Sequence, residues 1–454
     1  MADITTVSMR TIVSTKPVQF GKFYSLSVLG HIMEPSNVRL IFYYPTQGEI
    51  ELGTATKRLL ESLSEMLNSY PTITGRLQKT SEGHWRIKCN DAGVRMIEAR
   101  ARGSMEDWLQ KADREEELKL VYWEDMFHKP YFWSTFYIKM TEFEGGGIAI
   151  GLSCSHLLAD VACATMLIKT WAETTLFGKM HNPPHFGPFP HLRRGHSGIN
   201  PKLDNDLINC YKLYLEGTGQ STVSTAEKYE TVTFAFSDEM VRKCMAESQA
   251  DGSIPNGSPF AALASLFWLS VGKVKGKREL INMSICLDRR NVLGLDKSFF
   301  GNCMIFSKVL GEDIKEVELR QAAKAITNAI QKMGKEEIMD LVEWLETERD
   351  GKNLSDYQPP PINGPDLICA NWENFDPYSA IFESGVKPIR VSYYFEHVFG
   401  EGQVLILPSP EGDTSLSRIA MVTLPEHEVM KLCEEDLILQ FSPTILMGGK
   451  KIKV

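Results

Sequence analysis

Apolar positions along the chain switch repeatedly between a period of two and a period near 3.6, so strands and helices alternate. A β-branched stretch at Thr11 to Ser14 and the run Val38 to Tyr44, closed by Pro45, read as strands. Leu59, Leu60, Leu63, Met66 and Leu67 then recur at helical spacing, and Tyr70-Pro71 ends that helix, because proline lacks a backbone donor and restricts the residue before it. Trp85 to Cys89 and Val94 to Glu98 read as strands separated by the turn-rich Asn90-Asp91-Ala92-Gly93. Phe132 to Met140 and Gly147 to Ser153, joined through Gly145-Gly146, predict a hairpin. Directly afterwards, His156 to Phe177 carries Val161, Ala164, Met166, Leu167 and Trp171 as one helix face.

Between His181 and Pro201 the chain is dense in Pro, Gly and His and loses its period, which marks an inter-domain crossover. Beyond it, Tyr229 to Phe236 reads as a strand and Glu239 to Ser248 as a helix. Ser258-Pro259 caps and opens a strongly apolar helix, Phe260 to Val271. Leu280 to Leu287 predicts a strand, Lys315 to Met333 a long helix, and Val391 to Phe395 with Gln403 to Leu407 a second hairpin. Helices mixed with hairpins give an α/β fold of mixed sheets (α+β), not a doubly wound one. The expected division is an N-terminal domain at 1–180, a crossover at 181–222 and a C-terminal domain at 223–454.

Length supports two domains: the chain has 454 residues, and single cores stop growing near ~250 to 300. With 43% hydrophobic and 24% charged residues the composition is that of a globular protein. A net charge of −9 argues against nucleic acid, whose binders need a basic surface to replace condensed counterions. Nine scattered Cys without a Cys-x-x-Cys read as reduced thiols, neither a disulfide framework nor a zinc site. No apolar run is long enough for a membrane span, and the N-terminus has no signal-peptide core, so the expectation is a cytoplasmic protein.

His156-Leu157-Leu158-Ala159-Asp160 is the chemical centre of the sequence. The four-residue spacing would align His156 and Asp160 on a helix, but His156 follows a strand directly and is expected on the connecting loop. A neutral imidazole can take a proton from an alcohol or amine, which is what acyl transfer requires. Other readings are poorer. Gly151-Leu152-Ser153-Cys154-Ser155 lacks the last Gly of a nucleophile elbow. His181-Asn182-Pro183-Pro184-His185 has metal-like spacing, but its prolines forbid the helix that would align the rings, and no metal is predicted. Lys273 to Arg278 is either a solvated turn or a contact for phosphates. No phosphate loop or dinucleotide fingerprint is present.

These motifs have company. Tyr70-Pro71, Thr74-Gly75-Arg76-Leu77, Cys89 to Val94, Ser155 to Asp160, Asp288-Arg289-Arg290, Phe300-Gly301-Asn302, Asn371-Trp372, Tyr378 and Lys387-Pro388 resemble, in order, the motifs of the plant BAHD acyltransferases. The resemblance implies two chloramphenicol-acetyltransferase-like domains with a channel between them, in a monomer. It implies acyl-CoA as co-substrate, a small-molecule alcohol or amine as acceptor, and no bound cofactor. It makes His156 the general base, Trp372 an oxyanion donor, and Asp160 a structural partner of Arg290.

Three positions depart from the family pattern. Ile381-Phe382-Glu383-Ser384-Gly385 stands where the family has Asp-Phe-Gly-Trp-Gly, Ala370 replaces a hydroxyl residue two before the Trp, and Gly30 replaces an Asp. This combination is similar to the eceriferum/glossy branch. That similarity implies a role in very-long-chain fatty-acid and wax synthesis, in which some members assist a fatty-acid elongase condensing enzyme without transfer chemistry, in peripheral association with the endoplasmic reticulum.

Overall fold

The computed structural model describes residues 3–16, 21–45, 52–80, 84–124, 133–187, 189, 205–216, 228–249, 257–277, 279–314, 318–351, 366–398, 400–412 and 415–448, and the statements below concern these. Much of the crossover at 181–222 lies outside them.

Three sheets carry the fold. In the first, six strands lie in the spatial order Ile4–Ile12, Val94–Ala101, Phe136–Phe143, Ile148–Ser155, Asn37–Tyr44 and Arg390–Glu396. In the second, seven strands lie in the order Met304–Val309, Met283–Asp288, Leu367–Asn371, Gln403–Pro408, Arg418–Pro425, Tyr229–Phe236 and Thr444–Met447. A four-stranded sheet of Lys22–Ser25, Trp85–Cys89, Arg76–Lys79 and Trp133–Ser134 flanks the first half. Both large sheets mix parallel and antiparallel pairs, as expected.

Helices cover these sheets where the 3.6 period is strongest. Val161–Phe177 packs on Leu52–Leu67, and the Trp171 indole donates to the Leu59 carbonyl at 3.1 Å. Pro259–Lys275 is buried nearly throughout and packs between Asp238–Ser248 and Leu319–Gln331. The predicted hairpin through Gly145-Gly146 is present, with Phe136–Phe143 antiparallel to Ile148–Ser155. The turn at Asn90 to Gly93 has a different job: it passes the chain from the four-stranded sheet to the six-stranded one, with Asp91 and Gly93 at φ 48 and 76.

The second predicted hairpin is absent. Arg390–Glu396 pairs with Asn37–Tyr44 in the first sheet, whereas Gln403–Pro408 lies in the second between Leu367–Asn371 and Arg418–Pro425. Alternation of apolar residues shows that each segment is a strand, but not which strand it meets. One strand from the second half of the sequence thus completes the sheet of the first.

A buried carboxylate fixes that strand. Glu117, on the short helix Arg114–Leu118, is fully buried and accepts from the Tyr43 hydroxyl at 2.7 Å and the Ser392 hydroxyl at 3.1 Å. The Tyr394 hydroxyl donates to its other oxygen, and the Arg390 guanidinium lies 3.2 Å away. Burial opposes the Arg390 charge, yet Glu117 and the surrounding tyrosines hold its pKa above the ordinary value. A carboxylate with this many donors is stable in the interior where a bare one would not be.

Candidate active site

Strand Ile148–Ser155 ends at the turn His156-Leu157-Leu158, and the following helix starts only at Val161. The helix begins later than the apolar period suggests because Asp160 is its N-cap, extended at φ −81 and ψ −179, with its carboxylate accepting from the Cys163 amide at 3.0 Å. His156 therefore stands on a loop, and its side chain is free of the helix direction that Asp160 follows.

The loop is held from several sides. The His156 amide donates to the Ser36 carbonyl at 3.2 Å, and the Leu157 amide donates to the Ser155 hydroxyl at 3.3 Å. From the second half, the Asn302 amide group donates to the carbonyls of His156 at 2.5 Å and Leu157 at 3.2 Å. Gly30 lies directly beneath: a Cβ there would sit 2.4 Å from the Leu157 carbonyl oxygen. The family's Asp has no room at this position, so the departure at Gly30 matches the close approach of the loop.

The His156 imidazole is 1% exposed, and neither ring nitrogen has a hydrogen-bond partner. Burial lowers its pKa to about 4, only partly offset by the negative Asp160, so the ring is neutral at physiological pH. A neutral, unpartnered imidazole has one nitrogen able to accept a proton and one able to donate. Trp372 follows strand Leu367–Asn371, is 2% exposed, and its indole N–H is likewise without a partner.

One strand contacts both of these side chains. On Arg390–Glu396, Phe395 meets the His156 ring edge-on at a centroid distance of 5.2 Å, and Tyr393 lies against the Trp372 ring at 5.8 Å. Residues two apart share a face of a strand and are separated by about 6.6 Å. His156 and Trp372, which belong to different halves of the sequence, thus face the same side of this strand.

Asp160 does not share that surface. Its two carboxylate oxygens each lie 2.9 Å from one terminal nitrogen of Arg290, and one also accepts from the Cys303 amide at 3.0 Å. Arg290 additionally donates to the Phe299 carbonyl at 3.2 Å and lies 2.9 Å from Asp288. Burial opposes the Arg290 charge, but Asp160 together with Cys303, Cys163 and Asp288 outweighs it and holds the pKa well above the ordinary value. With Asp160 fully buried and Arg290 4% exposed, this pair ties the two halves together at the base of the loop.

Other motifs take structural places. Phe382 packs edge-on against Trp171 at 4.9 Å and Tyr44 at 5.5 Å, so the eroded Ile381 to Gly385 segment is anchored in the core by its retained Phe. Ala370 is buried mid-strand between Cys286 and Leu405. Ser153, the would-be elbow serine, is inside a strand and donates to the Tyr122 carbonyl, while Gly151 serves a close approach to the Leu120 carbonyl. Lys273 pairs with Glu435 at 3.2 Å, Lys275 with Glu428 at 2.7 Å and Glu401 at 3.0 Å, and Lys277 with Glu401. Lys275 is buried between its two carboxylates, whereas Lys273 and Lys277 remain half exposed; Arg278 lies outside the described residues. All nine cysteines are buried and none forms a disulfide.

Sequence reasoning missed Phe395, Glu117 and the role of Asn302. Asn302 was visible in the Phe300-Gly301-Asn302 motif, whereas nothing in the sequence marks Phe395 as a neighbour of His156.

The chain belongs to the Transferase family, the BAHD acyltransferases, whose model it matches over residues 2–437. It is 24% identical over 432 residues to Protein ECERIFERUM 26 of Arabidopsis thaliana, covering 94% of each chain. To Shikimate O-hydroxycinnamoyltransferase of Nicotiana tabacum it is 26% identical over 399 residues, covering 84% of this chain and 87% of the other. Among solved structures, vinorine synthase aligns with a TM-score of 0.71 at 19% identity, covering 98% of this chain and 100% of that one. F. sporotrichioides TRI101, complexed with coenzyme A and T-2, aligns with a TM-score of 0.70 at 14% identity, covering 94% and 100%. These structures share the fold.

Proposed function

We propose that the protein transfers an acyl group from acyl-CoA to the hydroxyl or amine of a small acceptor, with His156 as general base. The observation that carries this reading is the neutral, buried His156 ring with no protein partner on either nitrogen. In the proposed step an imidazole nitrogen takes the acceptor's O–H or N–H proton while the acceptor atom bonds to the thioester carbonyl carbon. The tetrahedral oxyanion is met by the Trp372 indole N–H, which is otherwise unpartnered. Collapse breaks the C–S bond, and the imidazolium returns its proton to the departing CoA thiolate. Asp160 and Arg290 hold the loop and touch neither substrate. The division into domains at 1–180 and 223–454 belongs to this reading with one amendment: Arg390–Glu396 is part of the N-terminal sheet.

Direct transfer requires both substrates at once. Mixing the protein with acyl-CoA alone is expected to leave its intact mass unchanged, and adding an acceptor to give an ester or amide plus free CoA. An acyl group retained on the protein in the absence of acceptor would contradict the mechanism.

A second reading rests on the relatives named ECERIFERUM 26 and ECERIFERUM 2. On it the chain assists a fatty-acid elongase condensing enzyme at the endoplasmic reticulum surface from the cytoplasmic side, as a monomer and without transfer of its own. Ala370 and the altered 381–385 segment favour it. No helix among the described residues is long and apolar enough to cross a membrane, so attachment there would be peripheral.

A further inference from the structure

A cavity of about 920 Å³ opens between the two large sheets, and His156 is not among its lining residues. It reaches the hairpin tip at Gly145-Gly146, whereas His156 follows the other end of the strand Ile148–Ser155 that leaves this tip. Seven residue steps along that strand correspond to about 23 Å. On its other wall the lining residue Ser392 stands three residues, about 10 Å along the strand, from Phe395. The cavity thus ends short of the His156 ring, which does not line it, and its size is that of a small-molecule site.

Its walls say what it would take. Met105, Leu109, Val391, Ile419, Met421 and Ile445 make them mainly aliphatic, and two methionines allow the surface to adapt to a chain. The buried cation at the wall, Arg390, already faces Glu117 at 3.2 Å, so an incoming anion finds no uncompensated positive charge. The lining hydroxyls of Ser104 and Ser392 are bonded to Asp107 and Glu117. Thr233 differs: it is 3% exposed, lines the cavity, and its hydroxyl has no partner. Its oxygen is closed off from solvent behind the cavity wall, and an unpaired buried hydroxyl is costly unless a ligand group that displaces this cover meets it.

We propose that this cavity is a second ligand site, distinct from the His156 centre, that takes a neutral unbranched aliphatic chain bearing one hydroxyl or carbonyl group, which pairs with Thr233. The proposal goes beyond the transfer reading and does not depend on it. Titration of the full chain with decan-1-ol by calorimetry tests it, with decanoate as the charged counterpart and CoA as competitor. Decan-1-ol is expected to bind saturably and at least tenfold more tightly than decanoate, undisturbed by CoA or by His156→Ala. Thr233→Val weakens it about tenfold, Thr233→Ser restores it, and Leu109→Trp, which fills the cavity from a partly exposed position, removes it. The absence of saturable binding, equal affinity for decanoate, displacement by CoA, or indifference to both Thr233→Val and Leu109→Trp in folded protein would each overturn the assignment.

Discussion

Phe395, from the second half of the sequence, lies edge-on against the His156 ring with centroids 5.2 Å apart, and so covers the imidazole that the first half presents. The contact exists because Arg390–Glu396 joins the first sheet beside Asn37–Tyr44. It also places the two aromatic side chains Tyr393 and Phe395 against Trp372 and His156.

Removing that cover exposes the ring. With Phe395→Ala, carbethoxylation of His156 by diethyl pyrocarbonate at neutral pH is expected to be at least tenfold faster than in wild type, read by peptide mass. An unchanged rate would mean that Phe395 does not limit access.

The pH dependence has a definite sign. The folded-state pKa of His156 is lowered from 6.5 to about 4, so between these values the unfolded chain binds the extra proton. This contribution to stability is fully present above about pH 6.5 and is lost as pH falls towards 4, amounting to about 3 kcal/mol at ~1.4 kcal/mol per pKa unit. His156→Gln is expected to flatten the urea-unfolding stability over this window relative to wild type. Transfer activity should likewise keep its acid limb well below pH 6.5.

The Asp160–Arg290 pair is predicted to be structural in its effects. Arg290→Met leaves a fully buried carboxylate without its cation, a loss of about 3 to 5 kcal/mol in comparable pairs. Denaturant melts of Asp160→Asn, Arg290→Met and the double variant should show strong coupling, the double variant being less damaged than the sum of the singles.

Gly30 tests the loop from below. The Cβ of Gly30→Ala would press on the Leu157 carbonyl, which must shift, and overpacking of this kind costs about 1 to 3 kcal/mol. Thermal melts should show the loss, and turnover should fall with it because His156 rides on the same loop. Unchanged melting and turnover would show that the loop has slack.

Loss of the indole donor is predicted to act on turnover. Trp372→Phe keeps an aromatic ring beside Tyr393 but removes the N–H, so kcat should fall about a hundredfold or more with little change in KM, in line with other oxyanion donors.

The local structure around His156 was largely legible in the sequence: a strand, a loop histidine, then a helix, with the flanking motifs in family order. The start of the helix was not, because apolar periodicity runs through Leu157 and Leu158 while the cap at Asp160 decides the boundary. Long-range pairing was also hidden. Val391 to Phe395 alternates as a strand should, but its partner is chosen by Glu117, Tyr43 and the register with Asn37–Tyr44, contacts across hundreds of residues. The ion pairs of the lysines at 273, 275 and 277 were hidden as well, because their carboxylate partners lie far away along the chain.

The most direct test compares purified wild type with His156→Ala across acetyl, aromatic and very-long-chain acyl-CoAs and pooled alcohol and amine acceptors, following free CoA and product mass together. The account predicts product from wild type and a loss of at least about a hundredfold in the variant, the scale of general-base catalysis. Equal product from both proteins would contradict it. Absence of product from a folded wild type that binds acyl-CoA would turn the assignment towards the elongase partner.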